Sequence, residues 1–182
     1  MMFEPVPQFI APGFQIKFAT DDWERKAAAA LRRQVFCGEQ RIFDGDDRDA
    51  VDEVAVPLVA VSLLGVASGD VVGTVRIHRD EGERDTWWGS RLAVERSYRK
   101  VAGIGAGLIR LAVSSAHGRG CHRFLAHVQS QNALLFQHLH WRSLGECDLH
   151  GRPHHRMEAD LAHYPPFMTP ETGFMSLARL AA

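Results

Sequence analysis

The sequence predicts an α/β domain: one mixed sheet of roughly six to seven strands flanked by helices. Three observations predict it. Short segments that alternate apolar and polar residues recur along the chain. Two longer segments carry apolar residues at helical spacing. Between residues 87 and 129 the pattern reads strand, helix, strand, and within one sheet that unit is a right-handed crossover joining parallel neighbours. The remaining strands lie close enough in sequence to pair as hairpins.

Each element follows from its local pattern. Residues 14–19, FQIKFA, alternate and read as a half-buried strand. Thr20, Asp21 and Asp22 offer capping oxygens, and Glu24 stands three residues after Asp21, the spacing of a capping box. From 23 to 37 the apolar residues Trp23, Ala27, Ala30, Leu31 and Val35 share a helix face. Residues 39–53 are dense in acids and read as a loop with about one helical turn. Residues 57–65 and 71–78 read as strands joined by a turn at 67–70. A strand at 87–94 precedes a polar loop at 95–102 and a helix at 103–116, which Gly118 and Gly120 stop. A strand at 122–129 and a short helix at 132–139 follow. Segments 141–149 and 155–161 form a last hairpin around Gly151, Arg152 and Pro153. The tail from His163 carries three prolines and then a short helix. The whole reads as a single domain, 1–182, with an N-terminal arm at 1–13 and a C-terminal extension from 163.

Composition narrows the function classes. The chain has 182 residues, enough to bury a full core without staples. With 46% apolar and 24% charged residues it is not a disordered chain. The net charge of −1 lacks the basic excess of a protein that lives on nucleic-acid phosphates. Cys37, Cys121 and Cys147 have no short spacing, so neither a disulfide scaffold nor a zinc site is expected. No segment reaches the roughly 18 apolar residues of a membrane span. The start, with two early prolines and no basic cluster, is not read as a secretory leader. A cytoplasmic protein with no membrane and no nucleic-acid partner is expected.

One loop carries chemistry. Lys100, Val101, Ala102, Gly103, Ile104, Gly105, Ala106 and Gly107 stand between a strand and a helix. Glycines there let backbone N–H groups converge on an anion at a helix N-terminus. The plain alternative is a tight turn with close helix–sheet packing. A nucleotide P-loop is excluded, because no Gly-Lys-Ser/Thr follows. A dinucleotide fingerprint fails as well, since its third glycine is replaced by Leu108 and the next strand ends in Val128-Gln129 with no acid.

The loop resembles motif A of the GCN5-related N-acetyltransferase (GNAT) family, Gln/Arg-x-x-Gly-x-Gly/Ala, with Lys100, Gly103 and Gly105 at the matched places. The segment from Leu31-Arg32 through Val35-Phe36 to Glu39-Gln40, the following acids, Arg76 between Val75 and Ile77, and His150-Gly151-Arg152-Pro153-His154 resemble the ElaA-like branch. The 31–40 segment with its acids and Arg76 are similar also to the acyl-homoserine-lactone synthases. The resemblance implies the GNAT acyl-CoA N-acyltransferase fold and acetyl-CoA as co-substrate, with no metal. It implies that residues 100–107 cradle the pyrophosphate. Leu92, Ala93 and Val94 would pair with the pantetheine arm, and Asn132 and Phe136 would line the cofactor. The implied reaction is acetyl transfer to a small-molecule amine by direct attack in a ternary complex. The alternatives are a lactone-synthase-like acyltransferase and a non-catalytic acyl-CoA-binding module.

Catalytic roles are less legible. Phe136 occupies the place where the family carries its general-acid Tyr, and Phe gives no proton. The thiolate would then leave unaided, or His138 or His140 would substitute. Glu39 is the candidate base, and the neighbouring acids Asp47, Asp49 and Asp52 read either as a solvated loop or as part of the acceptor site. Arg76 on an interior strand needs a partner; an acid from 39–53 is expected, serving either structure or a substrate carboxylate. The histidines at 138, 140, 150, 154 and 155 lack metal-ligand spacing. The apolar, proline-rich tail is read as a surface for a homodimer.

Overall fold

The computed structural model describes residues 10–64 and 67–180. The expected arm at 1–13 therefore falls largely outside the described residues. The first strand, β1 (Gly13–Phe18), leads into helix α1 (Asp22–Arg33). Glu24 fixes that junction: its carboxylate accepts the Thr20 and Asp21 N–H groups at 2.8 and 3.1 Å and the Lys17 ammonium at 2.6 Å. The helix does not run on in α geometry to Cys37 as expected. It widens into a π-helical turn at Gln34–Glu39 that buries Val35 and Phe36 together.

Strands β2 (Val56–Leu64), β3 (Ala67–Arg79) and β4 (Thr86–Val94) follow as an antiparallel meander. The turn expected at 67–70 is ladder instead. Leu63 pairs with Ser68 and Leu64 with Ala67, and the Ser62 hydroxyl holds the register by accepting the Asp70 N–H at 2.9 Å. The connection falls at 65–66, outside the described residues. The expected polar loop after β4 contains a 3-10 turn at Arg96–Tyr98 and a short strand, β5 (Val101–Ala102). Helix α2 (Ile104–Gly118) crosses to β6 (Arg123–Gln129), which pairs parallel with β4. Helix α3 (Ala133–His138) precedes the hairpin of β7 (Trp141–Leu149) and β8 (Arg152–Ala159).

The tail corrects the sequence reading. Residues expected to form a short helix form β9 (Phe174–Leu177), antiparallel to β1, and β10 (Arg179–Leu180), antiparallel to β5. The main sheet has eight strands in the order β7-β8-β6-β4-β3-β2-β1-β9. One face packs Phe14, Ile16, Leu58, Ile77, Trp87 and Phe124 against Ile104, Leu108 and Leu111 of α2. The other packs Val59, Val61 and Ala93 against Ala28 and Leu31 of α1 and Phe36 of the π turn.

A closed ring of alternating charges ties this second face to the acidic loop. Arg32 binds Asp47 at 2.8 Å, and Asp47 binds Arg91 at 3.1 Å. Arg91 binds Asp49 at 3.1 Å, and Asp49 binds Arg76 at 2.7 Å. Arg76 binds Asp52 at 2.8 Å, and Asp52 returns to Arg32 at 2.6 Å. The partner expected for Arg76 is thus a pair of loop acids, and its Nε donates to the Ser90 hydroxyl at 2.9 Å. Arg76 is 3% and Asp47 1% exposed, so each charge depends on its neighbours for solvation.

The guanidinium of Arg76 holds the Asp49 carboxyl below the usual carboxylate range. Burial pushes Asp52 upward, but Arg32, the Asp49 N–H and Arg76 outweigh it and leave that carboxyl lowered too. Depressed carboxyls stabilise the fold above their unfolded pKa, near 4. That stabilisation is lost as pH falls through their folded values. Replacing Arg76 with Met leaves two carboxylates short of a partner and should cost roughly 3–5 kcal/mol at pH 7. Urea unfolding from pH 7 to pH 3 should show stability falling steeply with acid in the parent and less steeply in R76M. Parallel acid dependences in the two proteins would contradict the ring.

Candidate active site

Strands β4 and β6 are paired only from Thr86 to Gly89 against Arg123 to Ala126. Beyond that point they part, although both continue. The parting begins at a bulge. Between Thr74 and Arg76 the β3–β4 register shifts, and Arg91 takes φ +57°, a conformation a non-glycine residue holds only under constraint. The constraint is the ion ring, which grips the Arg91 side chain, while Phe43 stacks under its guanidinium at 4.4 Å.

A cavity of about 420 Å³ occupies the opening and reaches both faces of the sheet. Towards α2 it is walled by Val75, Ile109, Ala112, Phe124 and Phe136. Towards the acidic loop it is walled by Phe36, Phe43, Trp88, Gln40, Gln129 and four imidazoles, His78, His127, His150 and His154. Among the described residues its lining contains Arg76 and Arg91 but no Asp or Glu, and the aspartates behind the wall match both arginines. Trp88 stacks on His127 at 5.1 Å, and Arg156 lies over the Trp88 ring. Burial lowers the pKa of His78 and of His127.

The expected phosphate loop stands where α2 begins. Gly103 has φ +110°, which glycine adopts without strain. The first helical bond runs from the Gly107 N–H to the Gly103 carbonyl at 2.7 Å, so the N–H groups of Ile104, Gly105 and Ala106 lack intrahelical partners. A Cβ on Gly105 would meet nothing within 4 Å, whereas one on Gly107 would lie 2.3 Å from Ile16. Gly107 therefore serves the packing of α2 on β1. Lys100 is exposed beside the loop, Ala106 is half-buried, and Val101 and Ile104 are buried in the core. Ala102 lies in β5, whose outer edge β10 covers.

The other expected residues fall in separate places. Leu92 and Asn132 line the cavity. Ala93 points into the α1 side of the core, and Val94 packs against the α2 side. Phe136 is buried, meets Trp141 edge-on at 5.0 Å and lines the cavity. Glu39 is ion-paired with Arg99 at 2.7 Å and is not among the lining residues. His138 and His140 also stand off the cavity; His140 stacks on His163. Neither of the chain's two tyrosines, Tyr98 and Tyr164, lines it. Among the described residues no group of three His, Cys, Asp or Glu is placed to hold a metal. Sequence reasoning missed Trp88, Gln129 and His154 as wall residues. The available signal was their alternation on strands whose opposite residues, Trp87, Val128 and Met157, are core.

Among the described residues no helix is long and apolar enough to cross a membrane. No curated protein sequence matches the chain. Escherichia coli ElaA superposes with a TM-score of 0.66 over 81% of this chain and 98% of its own, at 16% identity. An acyl-CoA N-acyltransferase from Pseudomonas aeruginosa gives 0.65 over 81% and 99%, at 16% identity. The CoA-dependent acyl-homoserine lactone synthase BjaI, solved with SAM and isopentyl-CoA, gives 0.64 over 83% and 86%, at 18% identity. At these identities the likeness establishes the fold. The sequence profile of the acetyltransferase (GNAT) family matches residues 25–145, more than half of the chain. The chain therefore belongs to the GNAT acetyltransferase family and is an acyl-CoA-dependent acyltransferase.

Proposed function

We propose that the protein transfers an acetyl group from acetyl-CoA to the amine of a small molecule, by direct attack in a ternary complex. The observation that carries this reading is the cavity that crosses the sheet between β4 and β6 and is walled by Ile109, Ala112 and Val113 of α2, the helix whose first N–H groups lack intrahelical partners. The pyrophosphate sits on the amides of residues 104–106, with Lys100 as the nearby cation. Lys100 supplies charge without the planar fork of the Arg more common at that place. The pantetheine arm lies along the unpaired edge of β4 at Leu92–Val94, as an added strand would. Amides freed by the bulge at Arg91 face the thioester oxygen and stabilise negative charge as it develops there.

Glu39 and Arg76, the residues first expected at the chemistry, take structural roles in this reading. Glu39 fixes Arg99, whose Nε donates to the Val94 carbonyl at 2.9 Å. Arg76 anchors the loop. The acceptor is an amine on an apolar or aromatic body. A polyamine needs carboxylates for its second charge, and among the described residues the lining offers none. A cytoplasmic setting fits the co-substrate and the three unpaired cysteines. A non-catalytic acyl-CoA-binding module is the second reading, favoured by Phe136.

Calorimetry with acetyl-CoA should give saturable binding, and release of free CoA should follow with a panel of arylalkyl and alkyl amines. Spermidine should be a poor acceptor. Absence of acetyl-CoA binding refutes the proposal, and binding without turnover of any amine selects the second reading. Gly105→Val adds a side chain where the free protein has room. It should keep the parent's thermal stability and weaken acetyl-CoA by roughly tenfold or more, about 1.4 kcal/mol; unchanged affinity would place the pyrophosphate elsewhere. Phe136→Tyr should raise turnover if departure of the thiolate is limiting, and an unaltered rate would show that the thiol, with its pKa near 8.5, leaves unaided.

A further inference from the structure

We propose that His154 is the base that takes the ammonium proton of the acceptor, an assignment that rests on the acetyl-transfer reading above. Direct attack requires a free amine, so an acceptor protonated in solution must lose a proton at the site. Among the described residues the lining has no carboxylate to take it. Asp47, Asp49 and Asp52 are each held by two arginines, and Glu39 is held by Arg99. The acceptors left in the wall are imidazoles.

Of these, His154 is the one whose ring is set for the task. It sits on β8 opposite Gln129 of β6 and is 7% exposed. Its Nδ1 lies 2.8 Å from the Arg152 carbonyl oxygen. A carbonyl only accepts, so Nδ1 carries the hydrogen, and in the neutral ring Nε2 holds the lone pair. The ring lines the same cavity as Gly89 and Leu92 at the slot. The backbone around it is braced: the Arg152 guanidinium donates to the Gln40 carbonyl, and the Gln129 amide donates to the Gln40 side chain at 2.9 Å. His78, by contrast, has a buried Nδ1 without a partner among the described residues, His127 is stacked on Trp88, and His150 meets Phe43 edge-on.

The charged and titratable groups around His154 come from every neighbouring element. His127 lies on β6, and Arg152 and Arg156 lie on β8. Cys147 stands opposite on β7. Arg76 and Arg91 lie on β3 and β4 in the same wall, with their charge matched by the ring aspartates. In the reaction Nε2 takes one proton from the ammonium. The freed nitrogen pair then forms the C–N bond, and the C–S bond breaks with its electrons on sulfur. The thiolate takes the second nitrogen proton, and the imidazolium returns the first to solvent. The products are one amide, one thiol and one released proton.

The test compares two acceptors in the parent, His154→Gln and His154→Asn: an alkylamine, protonated at neutral pH, and O-methylhydroxylamine, which is not. With the alkylamine both variants should lose roughly 10²–10⁴-fold in kcat. They should also lose the fall in kcat that the parent should show on acidification. With O-methylhydroxylamine the loss should be under about tenfold, and calorimetric affinity for acetyl-CoA should be unchanged. Equal losses for both acceptors in variants that still bind acetyl-CoA would overturn the assignment. Nitrogen NMR of the parent gives a reading independent of the variants: neutral His154 should be protonated at Nδ1, and an Nε2–H tautomer would overturn it. A parent that binds no acetyl-CoA would instead sink the acetyl-transfer reading and this assignment with it.

Discussion

The site depends on the closed ring of Arg32, Asp47, Arg91, Asp49, Arg76 and Asp52. Each aspartate bridges two arginines that belong to different elements: α1 and β4, β4 and β3, β3 and α1. Three positive and three negative charges sum to zero, so the ring can sit largely buried, with Asp49 at its exposed rim, where no single charge could be buried alone. Its mechanical effect is at Arg91. A positive φ on a non-glycine residue in the middle of a strand persists only if the surroundings over-determine it. Two ion pairs and the Phe43 face do so. The bulge they hold turns β4 away from β6 and opens the sheet. The acidic loop, which composition alone presents as a solvated surface, is thereby the part of the molecule that shapes the cavity.

Much of the frame was legible because it rests on short-range rules. The alternation in FQIKFA and FLAHV gave strands, and the Asp21–Glu24 spacing gave the start of α1. The crossover from β4 to β6 followed from the handedness of such units. What failed was decided at long range. Four residues, Phe174 to Leu177, carry too little pattern to announce a strand; they become one because β1 would otherwise leave its outer edge unpaired. The ring was half legible. A buried Arg76 demands an anion, but nothing local says that its partner Asp52 also holds Arg32, 44 residues away in the chain, or that its partner Asp49 also holds Arg91. His154 was hidden among several histidines until the sheet showed which of them share a face and which nitrogen a carbonyl had claimed.

The glycine loop illustrates why motif and packing readings need not compete. Gly103, Gly105 and Gly107 stand at alternate positions, yet each answers a different constraint. Gly103 supplies the left-handed turn that sets the direction of α2. Gly105 has no neighbour within reach of a Cβ, and its amide has no intrahelical partner. Gly107 lets α2 settle on Ile16. Packing at Gly107 brings the helix start close to the sheet, and the bare backbone at Gly105 leaves that start approachable by an anion. The close approach of α2 to β1 and the open amides at its N-terminus are two consequences of the same three residues.

In the proposed reaction the far wall of the cavity offers no hydroxyl at Phe136. Phe136 meets the edge of Trp141, whose Nε1 donates to the Tyr164 hydroxyl at 3.0 Å, and that hydroxyl donates in turn to the Leu139 carbonyl. The phenol near the site is thus fixed behind Trp141, and burial raises its pKa. A proton there is spoken for by the backbone and cannot reach a leaving sulfur. The two proton transfers of an amide-forming step then divide unequally. Taking the ammonium proton is demanding, since an aliphatic amine is nearly all protonated near neutral pH, and it calls for a placed acceptor. Releasing a thiolate is undemanding, since a thiol is acidic enough for its anion to leave into a hydrated slot. A wall rich in imidazole and poor in acids matches that division of labour.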